Sequence, residues 1–225
     1  DRTITLPDAS VTLASGTMLA TDGSGASLTA LNASELGSGT VPTARLGSGT
    51  ASSSTVLYGD QTYKAEPGGG LANADQWRLT TGFTGDALSG ITSNWEQNDT
   101  TGFSVLGSSM TESSGIFSFP STGYWMVGFY PMFNINGDNR YYDTSIQYTP
   151  DDGTYTSVTE TSASITQSAS STTYQGGFNT FLFDITDVSN QKVRFRVDVS
   201  NTATLTMGHT DKNTTYTTFM RLADT

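Results

Sequence analysis

The chain changes character along its length. From residue 71 onward, short β-branched and aromatic runs alternate with turn signals at intervals of about 8–12 residues, and no stretch of helical length repeats its apolar positions every 3.6 residues. Gln191 to Ser200 is the clearest case. Val193, Phe195, Val197 and Val199 fall on one face, and Lys192, Arg194, Arg196 and Asp198 on the other. That is a strand with one core face and one wet face. Phe181, Phe183 and Ile185 repeat the pattern with Asp184 opposite. Asn136-Gly137-Asp138-Asn139 and Pro150-Asp151-Asp152-Gly153 are hairpin-type turns in which Gly can supply positive φ. The pattern predicts an antiparallel jelly-roll β-sandwich.

One run departs from simple alternation. In Tyr124-Trp125-Met126-Val127-Gly128-Phe129-Tyr130 one face carries Trp125, Val127 and Phe129, and the other Tyr124, Met126 and Tyr130. An antiparallel strand that is apolar on both faces has its outer face covered. A subunit interface covers it in one reading; a fully internal strand or a loop folded over it does so in the other.

Residues 1–65 have no such material. They hold two aromatics, Tyr58 and Tyr63, whereas residues 71–225 hold all three Trp, all eleven Phe and eight Tyr. Glu66-Pro67-Gly68-Gly69-Gly70 separates the two regions, with Pro blocking a helix and Gly loosening the backbone. The expected organisation is therefore a first segment over 1–65, a linker over 66–70 and a folded domain over 71–225. The first segment repeats Leu36-Gly37-Ser38-Gly39-Thr40 as Leu46-Gly47-Ser48-Gly49-Thr50. It reads either as a disordered linker or as a shaft in which three chains bury isolated residues such as Leu36 and Leu46 on a common axis.

Two resemblances attach to these phrases. Ile4-Thr5-Leu6-Pro7-Asp8-Ala9, the stretch Leu31 to Thr55, and Val56-Leu57-Tyr58-Gly59-Asp60-Gln61-Thr62-Tyr63 resemble pieces of bacteriophage tail-fibre shafts, with Gln61 replacing Gly and Tyr63 replacing Trp. That likeness implies a non-enzymatic homotrimeric shaft. Phe117, then Gly123, Trp125, Val127 and Phe129 are similar to a strand signature of the complement-type globular head in the tumour-necrosis-factor-like jelly-roll superfamily. Here Trp125 and Val127 replace Tyr and Phe, and Val105 and Met110 do not match its upstream positions. Tyr216-Thr217-Thr218-Phe219-Met220-Arg221-Leu222 resembles that superfamily's last strand, near the trimer axis. Together they imply an all-β fold: an extended intertwined trimeric β shaft followed by a jelly-roll knob. Tyr124, Met126, Tyr130, Tyr216 and Phe219, with Leu36 and Leu46, are the expected trimer interface.

Composition narrows the chemistry. The 225 residues include no Cys, which excludes disulfides, thiolate metal sites and cysteine nucleophiles. A formal charge of −11 has the wrong sign for nonspecific grip on nucleic acid. No apolar run approaches the roughly 18–20 residues of a membrane-spanning helix. The one histidine, His209, stands without a nucleophile-elbow motif and reads as a turn or surface residue. Acid pairs such as Asp138 with Asp143 could serve glycosidase chemistry but read more simply as turn formers. Asp151-Asp152 and Asp184 with Asp187 could contribute to a calcium site, though no calcium-loop spacing accompanies them. No cofactor and no enzymatic activity is expected.

Recognition falls to aromatics flanked by polar side chains. Asn139-Arg140-Tyr141-Tyr142-Asp143, directly after a turn, fits best, and Trp95 in Ser93-Asn94-Trp95-Glu96-Gln97-Asn98 second. The same residues can instead be packing aromatics at strand ends. The expected function is attachment of a phage fibre to a host-surface glycan or protein through a homotrimeric knob. Other virion proteins would hold the N-terminal side, and the protein would be extracellular on the virion. A purely structural spike, and less readily a glycan-degrading tailspike, are the alternatives.

Overall fold

A computed structural model describes residues 42–65 and 71–225, and the chain divides into two units, Asp1–Glu66 and Pro67–Thr225. Leu36 and the first of the two Leu-Gly-Ser-Gly-Thr repeats lie outside the described residues. In the first unit a 3-10 turn, Thr43–Arg45, leads to an exposed Leu46. Strands β1 (Thr55–Leu57) and β2 (Tyr63–Ala65) then form an antiparallel hairpin. The turn between them is held by the Gln61 amide donating to the Tyr58 carbonyl at 2.9 Å. Gln61 takes φ +59°, a left-handed backbone at the position where the shaft pattern has Gly. Leu46, Val56 and Leu57 remain exposed, apolar positions that this small unit cannot bury itself.

The second unit is all-β with antiparallel pairing throughout its named strands. Its strands are β3 (Asn73–Leu79), β4 (Phe83–Thr84), β5 (Trp95–Gln97), β6 (Thr111–Ser113), β7 (Ile116–Ser118), β8 (Gly123–Tyr130) and β9 (Met132–Ile135). There follow β10 (Asn139–Thr149), β11 (Thr156–Ile165), β12 (Thr173–Gly176), β13 (Asn179–Ile185), β14 (Lys192–Val199), β15 (Leu205–Thr206) and β16 (Tyr216–Ala223). One five-stranded sheet runs β13-β8-β16-β3-β5 and another β11-β10-β14-β7-β6. A four-stranded sheet, β12-β9-β15-β4, continues past the breaks at Pro131 and Gly177. The predicted jelly-roll sandwich is the observed fold.

Aromatic side chains fill the space between the five-stranded sheets. Phe129 of β8 stacks on Phe195 of β14 at 4.8 Å, and Phe117 of β7 meets Phe219 of β16 at 5.2 Å. Trp77 and Trp95 set their ring edges against Phe117, both at 5.5 Å. Such pairs add about 0.5–1.5 kcal/mol each beyond the area they bury. The alternation of β14 is realised as expected, with Val193, Phe195, Val197 and Val199 all buried. In β13, Phe183 and Ile185 are buried but Phe181 is partly exposed, because β13 is an edge strand with nothing beyond it. The turn over 150–153 takes its positive φ at Asp152 rather than at Gly153, with Asp151 accepting from Thr149 and Gly153.

A buried carboxylate ties β3 to its surroundings. Asp75 accepts from the Gln76 amide, Trp77 Nε1, Gln97 Nε2 and the Met110 amide, at 2.8–3.0 Å. Those four donors replace the water that burial removes. Asp75→Ala leaves Trp77 Nε1 and the Met110 amide unpaired, so the unfolding free energy should fall by about 2–4 kcal/mol. Urea denaturation checks it, and a loss below about 1 kcal/mol would show the network to be dispensable.

Candidate functional site

The turn over 136–138 delivers the chain into β10 at Asn139. There the register of β10 on β11 slips: Asn139 pairs with Ile165 and Tyr142 with Ala163, so Arg140 and Tyr141 stand opposite Ser164 alone. This β-bulge re-aims the strand and releases two side chains from the regular ladder. They border a cavity of about 810 Å³ lined also by Asp138, Asn139, residues 164–166 at the end of β11, and residues 200–202 after β14.

Hydrogen bonds bind these three distant segments. Asn139 Oδ1 accepts from Ser200 Oγ at 2.8 Å and from the Asn201 amide at 2.9 Å. The Tyr141 amide donates to Ser200 Oγ, and Asn201 Nδ2 donates to the Asp138 carbonyl at 2.9 Å. From the third segment the Gln167 amide donates to Asp138 Oδ1 at 2.7 Å, and Gln167 Nε2 to Asn136 Oδ1 at 2.6 Å. The cavity is thus preorganised rather than formed by free loop tips. Asn139 Nδ2 is buried without a partner, since both donors to Oδ1 hold the amide in that orientation. Such a group costs about 1–3 kcal/mol. The charge is balanced: one carboxylate, Asp138, and one guanidinium, Arg140, which lies 4.9 Å over the Tyr141 ring.

The expected recognition residues separate here. Asn139, Arg140 and Tyr141 come together at this cavity, Asn139 as a fully buried tie and Arg140 as an exposed head. Tyr142 points the other way, packs on Phe133 at 4.6 Å and donates to the Gly176 carbonyl. Burial pushes its phenol above the ordinary tyrosine value, so it stays a neutral donor. Asp143 is half-buried beside Asp198 on the outer face of the sheet. Trp95 faces inward on Phe117 and Phe195, with Nε1 donating to the Ile91 carbonyl at 2.8 Å. Tyr142 and Trp95 pack against core aromatics and do not line this cavity. Residues 164–166 and 200–202 carry no local signal, because strand pairing alone brings them to Asn139.

The expected interface residues also separate. Tyr124, Met126 and Tyr130 of β8 and Tyr216 of β16 share the outer face of the β13-β8-β16-β3-β5 sheet, joined by Met220 and Leu182. Phe219 does not: by the period of two it points inward, fully buried against Phe117 and Phe195, and faces no partner. At Gly128 the face is flat. A Cβ there would come within 2.5 Å of the Tyr130 hydroxyl, and Tyr130 stacks on Tyr216 at 4.7 Å. Burial, then the neighbouring Tyr130, raises the Tyr216 phenol above its usual value. The neck over 103–106 overhangs this face and leaves a hollow of about 260 Å³ lined by Ala74, Phe103, Tyr130 and Met220 among others. Tyr124, Leu106 and Leu222 stay exposed, as do Leu182 at 48% and, along the β13 edge, Phe178 at 64%. Beside the face, Arg78 is buried among Glu96, Asn98, Asp99 and Thr100. Burial alone would lower its pKa, and the two carboxylates more than offset that.

His209 is half-buried with Nδ1 accepting from the Asp211 amide at 2.9 Å. Asp187 caps a turn by accepting from Ser189 and Asn190. Among the described residues no three His, Asp or Glu gather as metal ligands.

No protein-family model and no curated protein sequence matches the chain. Among solved structures it is similar to Eiger TNF from S. frugiperda, with 13% identity, TM-score 0.51, and coverage of 68% of this chain and 93% of that one. It is also similar to murine APRIL at pH 8.0, with 12% identity, TM-score 0.46, and coverage of 67% and 98%. The Eiger likeness shows a shared TNF-like jelly-roll fold and, at that identity, the fold alone. Asn139→Ala should unlock the cavity rim. Amide exchange at Asn201 is expected to quicken about tenfold or more, the equivalent of one lost hydrogen bond. Exchange monitored by NMR checks it, and an unchanged rate would remove Asn139 as the tie.

Proposed function

We propose that this chain is a homotrimeric bacteriophage fibre protein that attaches the virion to its host, with a shaft over residues 1–65 and an adhesive knob over 71–225. One observation carries this reading: the knob's surface is divided between an apolar face on one sheet, covered only in part by residues 103–106, and a tied polar cavity at the end of the other. The apolar face and the exposed β13 edge differ in shape, so copies pack face to edge. Such a heterologous contact makes a ring where its rotation returns to the first copy. A third copy completes the closure, which agrees with the likeness of residues 1–65 to trimeric shafts. Leu46, Val56 and Leu57 then pack around the shaft axis. The polar cavities stay outside the interface, three per knob, and weak sites held together gain avidity without a tight single contact. Attachment of this kind requires no bond to be made or broken.

Sedimentation equilibrium should give about 71 kDa, three times the chain mass of 23.8 kDa. Met126→Glu places a carboxylate in the apolar contact, and a folded species at the mass of one chain is expected from it. A wild-type mass of one chain would overturn the trimer. Fluorescently labelled trimer is expected to adsorb saturably to one or more strains in a panel of bacterial cells. Intact trimer that adsorbs to none would favour a purely structural spike.

A further inference from the structure

The cavity at the start of β10 has a chemistry that selects its ligand. Its lining carries one acceptor-only group, the Asp138 carboxylate, and one donor-only group, the Arg140 guanidinium. Ser164, Thr166 and Thr202 add hydroxyls that both donate and accept, and these make no side-chain hydrogen bond among the described residues. Arg140 has no carboxylate partner among the described residues, and its guanidinium stays over the Tyr141 ring. A peptide side chain would need an apolar recess, yet the one aliphatic residue in the lining, Ile165, is buried in the core. A phosphate or polyanion would need an excess of donors and positive charge, whereas here charge is balanced one to one within a chain of net charge −11. A sugar ring presents neighbouring hydroxyls, each donor and acceptor at once, and matches a mixed lining of zero net charge.

We infer that this cavity binds a neutral saccharide, with Asp138 accepting from and Arg140 donating to adjacent hydroxyls of one ring. The inference rests on the attachment reading and names the class of receptor. The rim ties give it a fixed shape: Asn139 keeps residues 200–202 in place and Gln167 keeps Asp138 in place. The same orientation leaves Asn139 Nδ2 without a protein partner.

The test uses the 225-residue chain on a printed array of neutral and acidic oligosaccharides, maltotriose, cellotriose, chitotriose, lactose and trigalacturonic acid among them, with purified bacterial wall polysaccharides. At least one neutral saccharide should bind saturably. Arg140→Ala and Asp138→Asn should each weaken it about tenfold, the loss of a charge-assisted hydrogen bond. Thr202→Trp, which sets an indole into the lining from an exposed position, should crowd the ring out and abolish it. Binding confined to acidic saccharides, binding to none, or binding unchanged by Thr202→Trp overturns the inference. Cells separate it from the reading beneath it. Adsorption lost after periodate and kept after proteinase K supports a saccharide receptor. The opposite result leaves attachment standing and removes the saccharide. Array binding without adsorption to any cell keeps the saccharide and removes attachment.

Discussion

The knob is organised by a layer of aromatic rings that clamps its two five-stranded sheets together. Phe195 touches Phe117, Phe129, Phe219 and Trp95, and Phe117 touches Trp77, Trp95 and Phe219. These rings come from β3, β5, β7, β8, β14 and β16, so one layer holds strands from both sheets. Because side chains alternate along a strand, every residue committed to that layer sends its neighbours outward. Trp125, Val127 and Phe129 inside force Tyr124, Met126 and Tyr130 outside. An apolar outer face is therefore a separate feature of the sequence, which the core does not explain.

The same period of two accounts for what the sequence made legible. β14 was readable because its outward residues are charged, so hydrophobic and polar positions coincide with buried and exposed ones. β8 was readable as a strand, and the assignment of its two faces was correct, since Trp, Val and Phe on one side outweigh Tyr and Met on the other. The likeness of β16 to a last strand near an axis points Phe219 toward a partner, whereas its parity against Thr218 and Met220 turns it into the core. Position in the sheet says which strand is central; parity says which residue leaves it.

β3 and the cavity were hidden for related reasons. Asn73, Asp75 and Arg78 are polar yet buried, and their compensation comes from partners far along the chain: Ser108, Gln97, Met110, Glu96 and Asp99. A local pattern cannot show that a buried charge is satisfied. In the same way Arg140 and Tyr141 are visible after a turn, but the residues that complete the cavity, Ser200 and Asn201, lie 61 and 62 residues from Asn139. The bulge that exposes Arg140 and Tyr141 depends on β11, which sequence alone does not register against β10. Tyr142, one residue on, belongs to the core for the same geometric reason.

The two outer features place opposite demands on the surface, and the charge of the chain bears on both. Charge sits at the borders of the apolar face, with Asp184 across from Tyr124 and Arg78 across from Tyr216, and the buried Arg78 is enclosed by Glu96 and Asp99. Elsewhere the row Lys192, Arg194 and Arg196 is also largely answered, Lys192 by Asp152 and Arg196 by Asp198 and Glu160. Arg194 instead lies over the Tyr155 ring at 4.2 Å and donates to Gln147. Among the described residues a second guanidinium has no carboxylate partner, and it lies at the mouth of a cavity. Arg140 is that guanidinium. Asp138, the carboxylate of the same lining, accepts from the Gln167 amide and forms no ion pair with Arg140 among the described residues. Opposite charges kept apart on a fixed frame can each reach a hydroxyl between them, which a collapsed ion pair cannot do. That separation, set by the bulge and the rim ties, distinguishes this pair from an ordinary surface salt bridge.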